Sequence, residues 1–158
     1  MTQEDKKLLL QDLCARLPYG VKFPYHMEED CNHRECDCVA VIDSISEDRV
    51  EFTYEDNGYP IDWSCSLSQV KPYIRPMSSM TEEEYVYFMS IRGMNLRSYE
   101  IQEMMSENFS HPNRIAIVNT LGRYSHNIDW LNENMFDYRG LIERGLATEA
   151  PEGMYKIN

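Results

Sequence analysis

The sequence predicts an α+β fold with an N-terminal helix, a small five-stranded antiparallel sheet or SH3-like barrel, and a C-terminal helical region. Leucines recur at helical spacing in residues 4–17. Short stretches with strand character and intervening turn residues follow in residues 21–74. Helical patterns then dominate the rest of the chain. We therefore divide the chain into residues 1–75 and 76–158, and we expect the two regions to pack as one compact unit.

The composition disfavours several classes of protein. The chain has 158 residues, a net charge of −12 and 42% hydrophobic residues, which suits a folded domain with its own core. The surplus of acids disfavours direct nucleic-acid binding, which needs clustered Lys and Arg. No apolar run is long enough to cross a bilayer or to serve as a signal peptide, so we expect a cytoplasmic protein with reduced thiols.

The first helix is predicted over residues 4–17. Leu9, Leu10, Leu13 and Leu17 form its apolar face, and Asp12 lies off that face. Pro18 and the glycine that follows two residues later end the helix.

Five strands are predicted over residues 21–25, 38–45, 50–55, 59–65 and 70–74. Asn57 and Gly58 favour a tight hairpin, because both tolerate positive φ. Pro72 confines the fifth strand to an edge. Short strands with tight turns favour a closed or half-closed barrel, and an open sheet covered by the first helix is the alternative.

The C-terminal region begins with a predicted capping box from Thr81 to Glu84, opening a helix that ends at Gly93. Further helices are expected at 98–108, 127–134 and 138–144, whereas 114–121 is ambiguous between helix and strand. Arg139 is expected to pair with a carboxylate of the acidic region described next or to remain solvated.

The negative charge is concentrated in residues 28–62, which hold twelve acids and two bases and so carry −10 of the net charge. One interpretation is an acidic face that attracts a basic protein partner. The alternative is a role in solubility and edge protection only. The residues predicted to form the binding face are Glu28, Glu29, Asp30, Glu47, Asp48, Glu51, Glu55 and Asp56.

A second candidate site is the group Cys31, His33, Cys36 and Cys38, which places four soft ligands within eight residues. Zinc prefers four tetrahedral nitrogen or sulfur ligands, and the spacing matches the usual pairs only in part. A zinc-stabilised module is therefore our second functional hypothesis. The alternative is a polar loop with reduced thiols, in which Cys38 simply begins a strand.

Motifs for serine hydrolases, zinc proteases and phosphate-binding loops are absent from the sequence, so we assign no catalytic residues. A non-enzymatic interaction protein is our leading hypothesis. A small-ligand binder or an enzyme is the third, and a pocket lined with Arg75, Arg92, Arg123 or Arg139 would favour it. The sequence does not predict an oligomeric state.

Three stretches carry a resemblance. They are residues 13–21 (LCARLPYGV), residues 70–84 (VKPYIRPMSSMTEEE), and a C-terminal series at 130–132, 136–147 and 149–155. Together they resemble a group of uncharacterised small proteins of gut Bacteroidales, their phages and mobile elements. The resemblance implies a cytosolic accessory protein of the phage or mobile-element type. It implies no activity, so no site residue is transferred from it.

Overall fold

The computed structural model describes residues 1–27, 36–91 and 125–155 and confirms a mixed α+β fold. The predictions for 98–108 and 114–121, and the helix end at Gly93, lie outside these ranges. Short 3-10 turns occupy Leu17–Tyr19, Leu67–Gln69 and Met77–Ser79. The helices and strands are α1 (Gln3–Arg16), β1 (Lys22–Met27), β2 (Cys36–Ile45), β3 (Arg49–Asp56), β4 (Tyr59–Ser66), β5 (Tyr73–Ile74), α2 (Glu82–Ile91), α3 (Ser125–Glu133) and β6 (Thr148–Glu149).

The main sheet is antiparallel with strand order β1-β2-β3-β4, and it is open. The predicted five-stranded SH3-like barrel is not confirmed, because β5 pairs in parallel with β6 instead. Pro72 has no amide hydrogen, and its carbonyl accepts from the amide of Thr148 at 2.9 Å. The short fifth strand is thereby bound to the C-terminal segment rather than to the main sheet.

Period-two alternation sorts the side chains of β3. Val50, Phe52 and Tyr54 are buried on the inner face, whereas Glu51 and Glu55 are exposed on the outer face. The inner face packs in one core cluster with Leu9 and Leu13 of α1 and with Leu141 and Leu146 near the C-terminus. Burying a leucine completely stabilises a fold by about 1.5–3 kcal/mol, so this cluster anchors both ends of the chain to the sheet.

The hairpin between β3 and β4 forms as predicted. Asn57 and Gly58 have φ values of 51° and 83°, which a type I′ turn requires. The loop therefore contains two residues, and Asp56 pairs with Tyr59 at its base. The pairing of β2 with β3 is irregular between Ile42 and Ser44, where the register of the two strands shifts.

The capping box of α2 is also confirmed. The amide of Glu84 donates to Thr81 Oγ1 at 3.2 Å, and the amide of Thr81 donates to Glu84 Oε2 at 2.7 Å. The predicted helix over 138–144 is wrong, because this segment consists of turns. Gly140 has a φ of 73°, which breaks helical geometry, and the Asp137 carboxylate accepts from the amides of Leu141 and Ile142.

Asp12 is fully buried, which contradicts the prediction that it lies off the apolar face. Burial is tolerated because two arginines pair with its carboxylate: Arg16 Nε lies 2.7 Å from Oδ2, and Arg139 Nη1 lies 2.8 Å from Oδ1. Arg139 therefore pairs with α1 and not with the acidic region. Arg16 also donates to the carbonyl of Phe136 at 2.8 Å, so this network joins α1 to the C-terminal turns.

Arg139→Met should lower the free energy of unfolding by about 2 kcal/mol, because it removes a charge-assisted hydrogen bond to a buried carboxylate. Arg144→Met is the matched control, since Arg144 pairs with Asp5 of the same helix at 3.6 Å but is about half exposed. The control should cost less than about 1 kcal/mol. Denaturant unfolding of both variants measures the difference, and equal losses would contradict a structural role for the buried pair.

Candidate functional site

Among the side chains that the structure describes, four exposed carboxylates lie on the outer face of the main sheet, and we name them the acidic face: Asp43, Glu51, Glu55 and Asp62. Alternation places Glu51 and Glu55 on this side of β3, and the β3–β4 register sets Asp62 opposite Thr53. Asp43 reaches the same side at the register shift in β2. The four acids thus come from three neighbouring strands.

Thr53 lies between two of these acids. Its Oγ1 is 2.7 Å from Asp43 Oδ2 and 2.9 Å from Asp62 Oδ1. A threonine hydroxyl has one hydrogen to donate, so it cannot make a full hydrogen bond to both carboxylates at once. The arrangement leaves acceptor capacity on two neighbouring anions that face solvent.

Two further hydrogen bonds join polar side chains on this face. Ser44 Oγ donates to Glu51 Oε2 at 2.6 Å, and the Arg49 guanidinium donates to Ser64 Oγ. Within the described ranges, none of the four acids makes a salt bridge. A groove of about 700 Å³ runs along this side of the sheet, lined by Asp43, Arg49, Glu51, Thr53, Asp62 and Ser64.

The structure distributes the predicted binding residues over several places. Glu51 and Glu55 lie on the acidic face. Glu47 and Asp48 lie in the turn between β2 and β3, where Asp48 pairs with Lys6, and Asp56 closes the hairpin and accepts from Asn57 Nδ2 at 2.8 Å. Glu28, Glu29 and Asp30 lie outside the described residues.

Asp43 and Asp62 were not among the predicted binding residues. The alternation of β4 could have identified Asp62, because it occupies the face opposite to Ile61 and Trp63. Alternation could not have predicted the side of the sheet on which Asp43 lies, because its position depends on a register shift that no sequence pattern indicates.

The predicted zinc site is described only in part. Cys31 and His33 lie outside the described ranges, and Cys36 lies in β2 two residues before Cys38. Cys38 is half-buried, and its thiol lies 3.6 Å from the carbonyl of Tyr25, as a weak donor would. In the part of the chain that the structure describes, no three His, Cys, Asp or Glu side chains are grouped to hold a metal ion.

A second cleft, of about 520 Å³, includes Arg75, the arginine whose position in a pocket would favour a small-ligand binder. Its guanidinium is already bound to both oxygens of Glu84, at 2.7 and 3.0 Å, and lies 4.2 Å from the centre of the Phe136 ring. Glu149 and Glu152 also line the cleft. Arg75 is thus neutralised, which disfavours an anionic ligand beside it.

Burial raises the pKa of Glu84, but the hydrogen bonds from Arg75 and Thr81 outweigh it, and the net pKa lies below the ordinary value of 4.5. The pair therefore stabilises the fold above about pH 4.5 and loses this contribution as the pH falls through the lowered pKa. Glu84→Gln should cost about 2 kcal/mol at pH 7, and the gap to the unmodified chain should narrow in acid.

Glu82→Gln is the control for this experiment, because Glu82 is exposed in the same helical turn. It should cost less than about 1 kcal/mol. Urea unfolding between about pH 7 and pH 3 measures both gaps. A gap for Glu84→Gln that does not change with pH would contradict the ion pair.

Within the described ranges, every helix is too short or too polar to span a membrane. No protein-family model, no curated protein and no solved structure matches the chain, so its site rests on geometry alone.

Proposed function

We propose that the chain is a non-enzymatic binding module whose acidic face engages a positively charged segment of another protein. The observation that carries this proposal is the pair Asp43 and Asp62, which share one hydroxyl hydrogen from Thr53. No lysine or arginine of the described residues forms a salt bridge with either acid. A cationic side chain from a partner would supply the missing donors.

A lysine ammonium suits this site, because it carries three hydrogens and can donate to both carboxylates at once. Charge-assisted hydrogen bonds of this kind are stronger than those between neutral groups. The acids are exposed, so binding should weaken as salt screens the charges over about 8–10 Å. A face with a surplus of negative charge also speeds association with a positively charged partner.

The setting that we propose is the cytoplasm of a bacterial cell. The partner that we propose belongs to the host machinery on which a phage or mobile element acts, and the chain would be its adaptor or inhibitor. The competing interpretation is that the acids serve only solubility and edge protection. If the acids form a binding face, their position determines how tightly a cationic partner binds. If they serve only solubility, their number alone determines it.

Replacing three acids of the face tests the proposal. We compare Asp43→Asn/Glu51→Gln/Asp62→Asn with Glu133→Gln/Glu149→Gln/Glu152→Gln, which removes three exposed acids elsewhere and gives the same net charge. The probe is a labelled peptide of ten lysines, and its affinity is measured by fluorescence anisotropy at low and high salt. The first triple variant should bind at least tenfold more weakly than the unmodified chain, and the control should stay within threefold.

Equal weakening in both variants would show that net charge alone attracts the peptide and would overturn the proposal. Binding that does not change with salt would also contradict it, because the attraction is between exposed charges.

A further inference from the structure

The edge strand β4 has a side that no described strand covers, because it ends the order β1-β2-β3-β4. Asp56 and Tyr59 close a two-residue hairpin, so they form a hydrogen-bonded pair, and such pairs recur at every second residue. The amide of Leu67, in the same series, donates to the Asp48 carbonyl at 2.9 Å. The backbone groups of Asp62 and Ser64 consequently point away from β3.

Both ends of this edge are protected. Pro60 has no amide hydrogen, and the amide of Ser66 donates to Gln69 Oε1 at 3.0 Å. Such features prevent unwanted strand pairing at sheet edges. They leave a short window at Asp62 and Ser64 in which backbone donors and acceptors face outward.

The two sides of β4 differ in chemistry. Asp62 belongs to the acidic face, whereas Ile61 and Trp63 lie on the inner side, where Phe52 is the cross-strand neighbour of Trp63. Trp63 is nevertheless 52% exposed and Tyr59 is 73% exposed. An edge strand that is acidic on one side and apolar on the other suits an added strand with the complementary alternation.

We propose that the partner segment binds as an added β-strand along β4, with basic side chains over the acidic face and apolar side chains beside Trp63. This inference rests on the proposed function and specifies how the basic segment is held. The added strand would lie about 4.8 Å beyond β4, with its backbone bonded to Asp62 and Ser64. A second copy of the chain is disfavoured, because pairing two β4 edges would place one acidic face beside another.

The test compares eight-residue peptides of equal composition. One alternates lysine with valine, and the other has four lysines followed by four valines. The alternating peptide should bind at least tenfold more tightly, because only it places every charge on one side of a strand. Equal affinities would overturn the added strand.

Methylation of peptide amides tests the backbone contacts. Residues that bond to an antiparallel neighbour have side chains on the same face as their partners, so the lysine amides would face β4. Methylating the lysine amides should then weaken binding at least tenfold, and methylating the valine amides should have less than a threefold effect. The reverse pattern would indicate a parallel strand, and equal effects of both would overturn strand addition.

Two variants of the protein provide the matched test. Ser64→Pro removes the outward amide hydrogen and the hydroxyl, whereas Ser64→Ala removes the hydroxyl alone. The alternating peptide should bind Ser64→Pro at least tenfold more weakly than Ser64→Ala, and equal affinities of the two variants would overturn the backbone contact at Ser64. If the block peptide binds as well as the alternating one and both depend on the acidic face, strand addition fails and the proposed function stands. If the ten-lysine peptide does not bind either, the proposed function itself fails.

Discussion

The register of β3 against its two neighbours is the constraint on which the rest of the structure depends. β3 pairs with β2 on one side and with β4 on the other, and its side chains alternate between core and solvent. A slip of one residue would expose Val50, Phe52 and Tyr54 and would bury acids in their place. The same alternation that fills the core therefore collects Glu51 and Glu55 on one surface. Fold and candidate site have a common cause.

The C-terminal part of the chain depends on a different interaction. Asp12 and Arg16 are both fully buried in α1, and Arg16 reaches the carbonyl of Phe136. Arg139 adds the second cation to Asp12 and lies 4.7 Å from the centre of the Tyr138 ring. Removing one member of such a network leaves a buried charge uncompensated, which is costly. The network thus fixes the turns after α3 against the first helix.

Local patterns predicted most of the described fold. The strands, the two-residue hairpin and the capping box at Thr81 follow from alternation, from residues that tolerate positive φ and from side chains that bond the first helical turn. Contacts between residues far apart in the sequence were harder to predict. The partner of β5 lies more than seventy residues further along the chain, and no local pattern indicates it. Asp12 was misplaced for the same reason, because its partner Arg139 is close only in the folded chain.

The sequence led us to expect an acidic face, but it did not predict the positions of the acids that the structure brings together. The segment with the surplus of acids, residues 28–62, contains all four carboxylates of the acidic face, and two of the predicted binding residues, Glu51 and Glu55, lie on that face. Glu47 and Asp48 lie instead in the turn between β2 and β3, where exposure is common to all polar residues, and Asp56 ends β3 at the base of the hairpin. The shift in β2 brings Asp43 to Thr53, and such shifts arise from the packing of whole strands. Composition alone therefore could not predict the geometry that makes the site chemically distinct.

The central claim is that cations bind at one location on this protein and are not spread over its negative surface. An NMR titration with the ten-lysine peptide, followed through the backbone amides, tests it most directly. We expect the largest shift changes at Asp43, Glu51, Thr53 and Asp62, and small changes at exposed acids elsewhere, such as Glu133 and Glu149. Changes of similar size at all exposed acids, or a maximum away from the sheet, would contradict the claim.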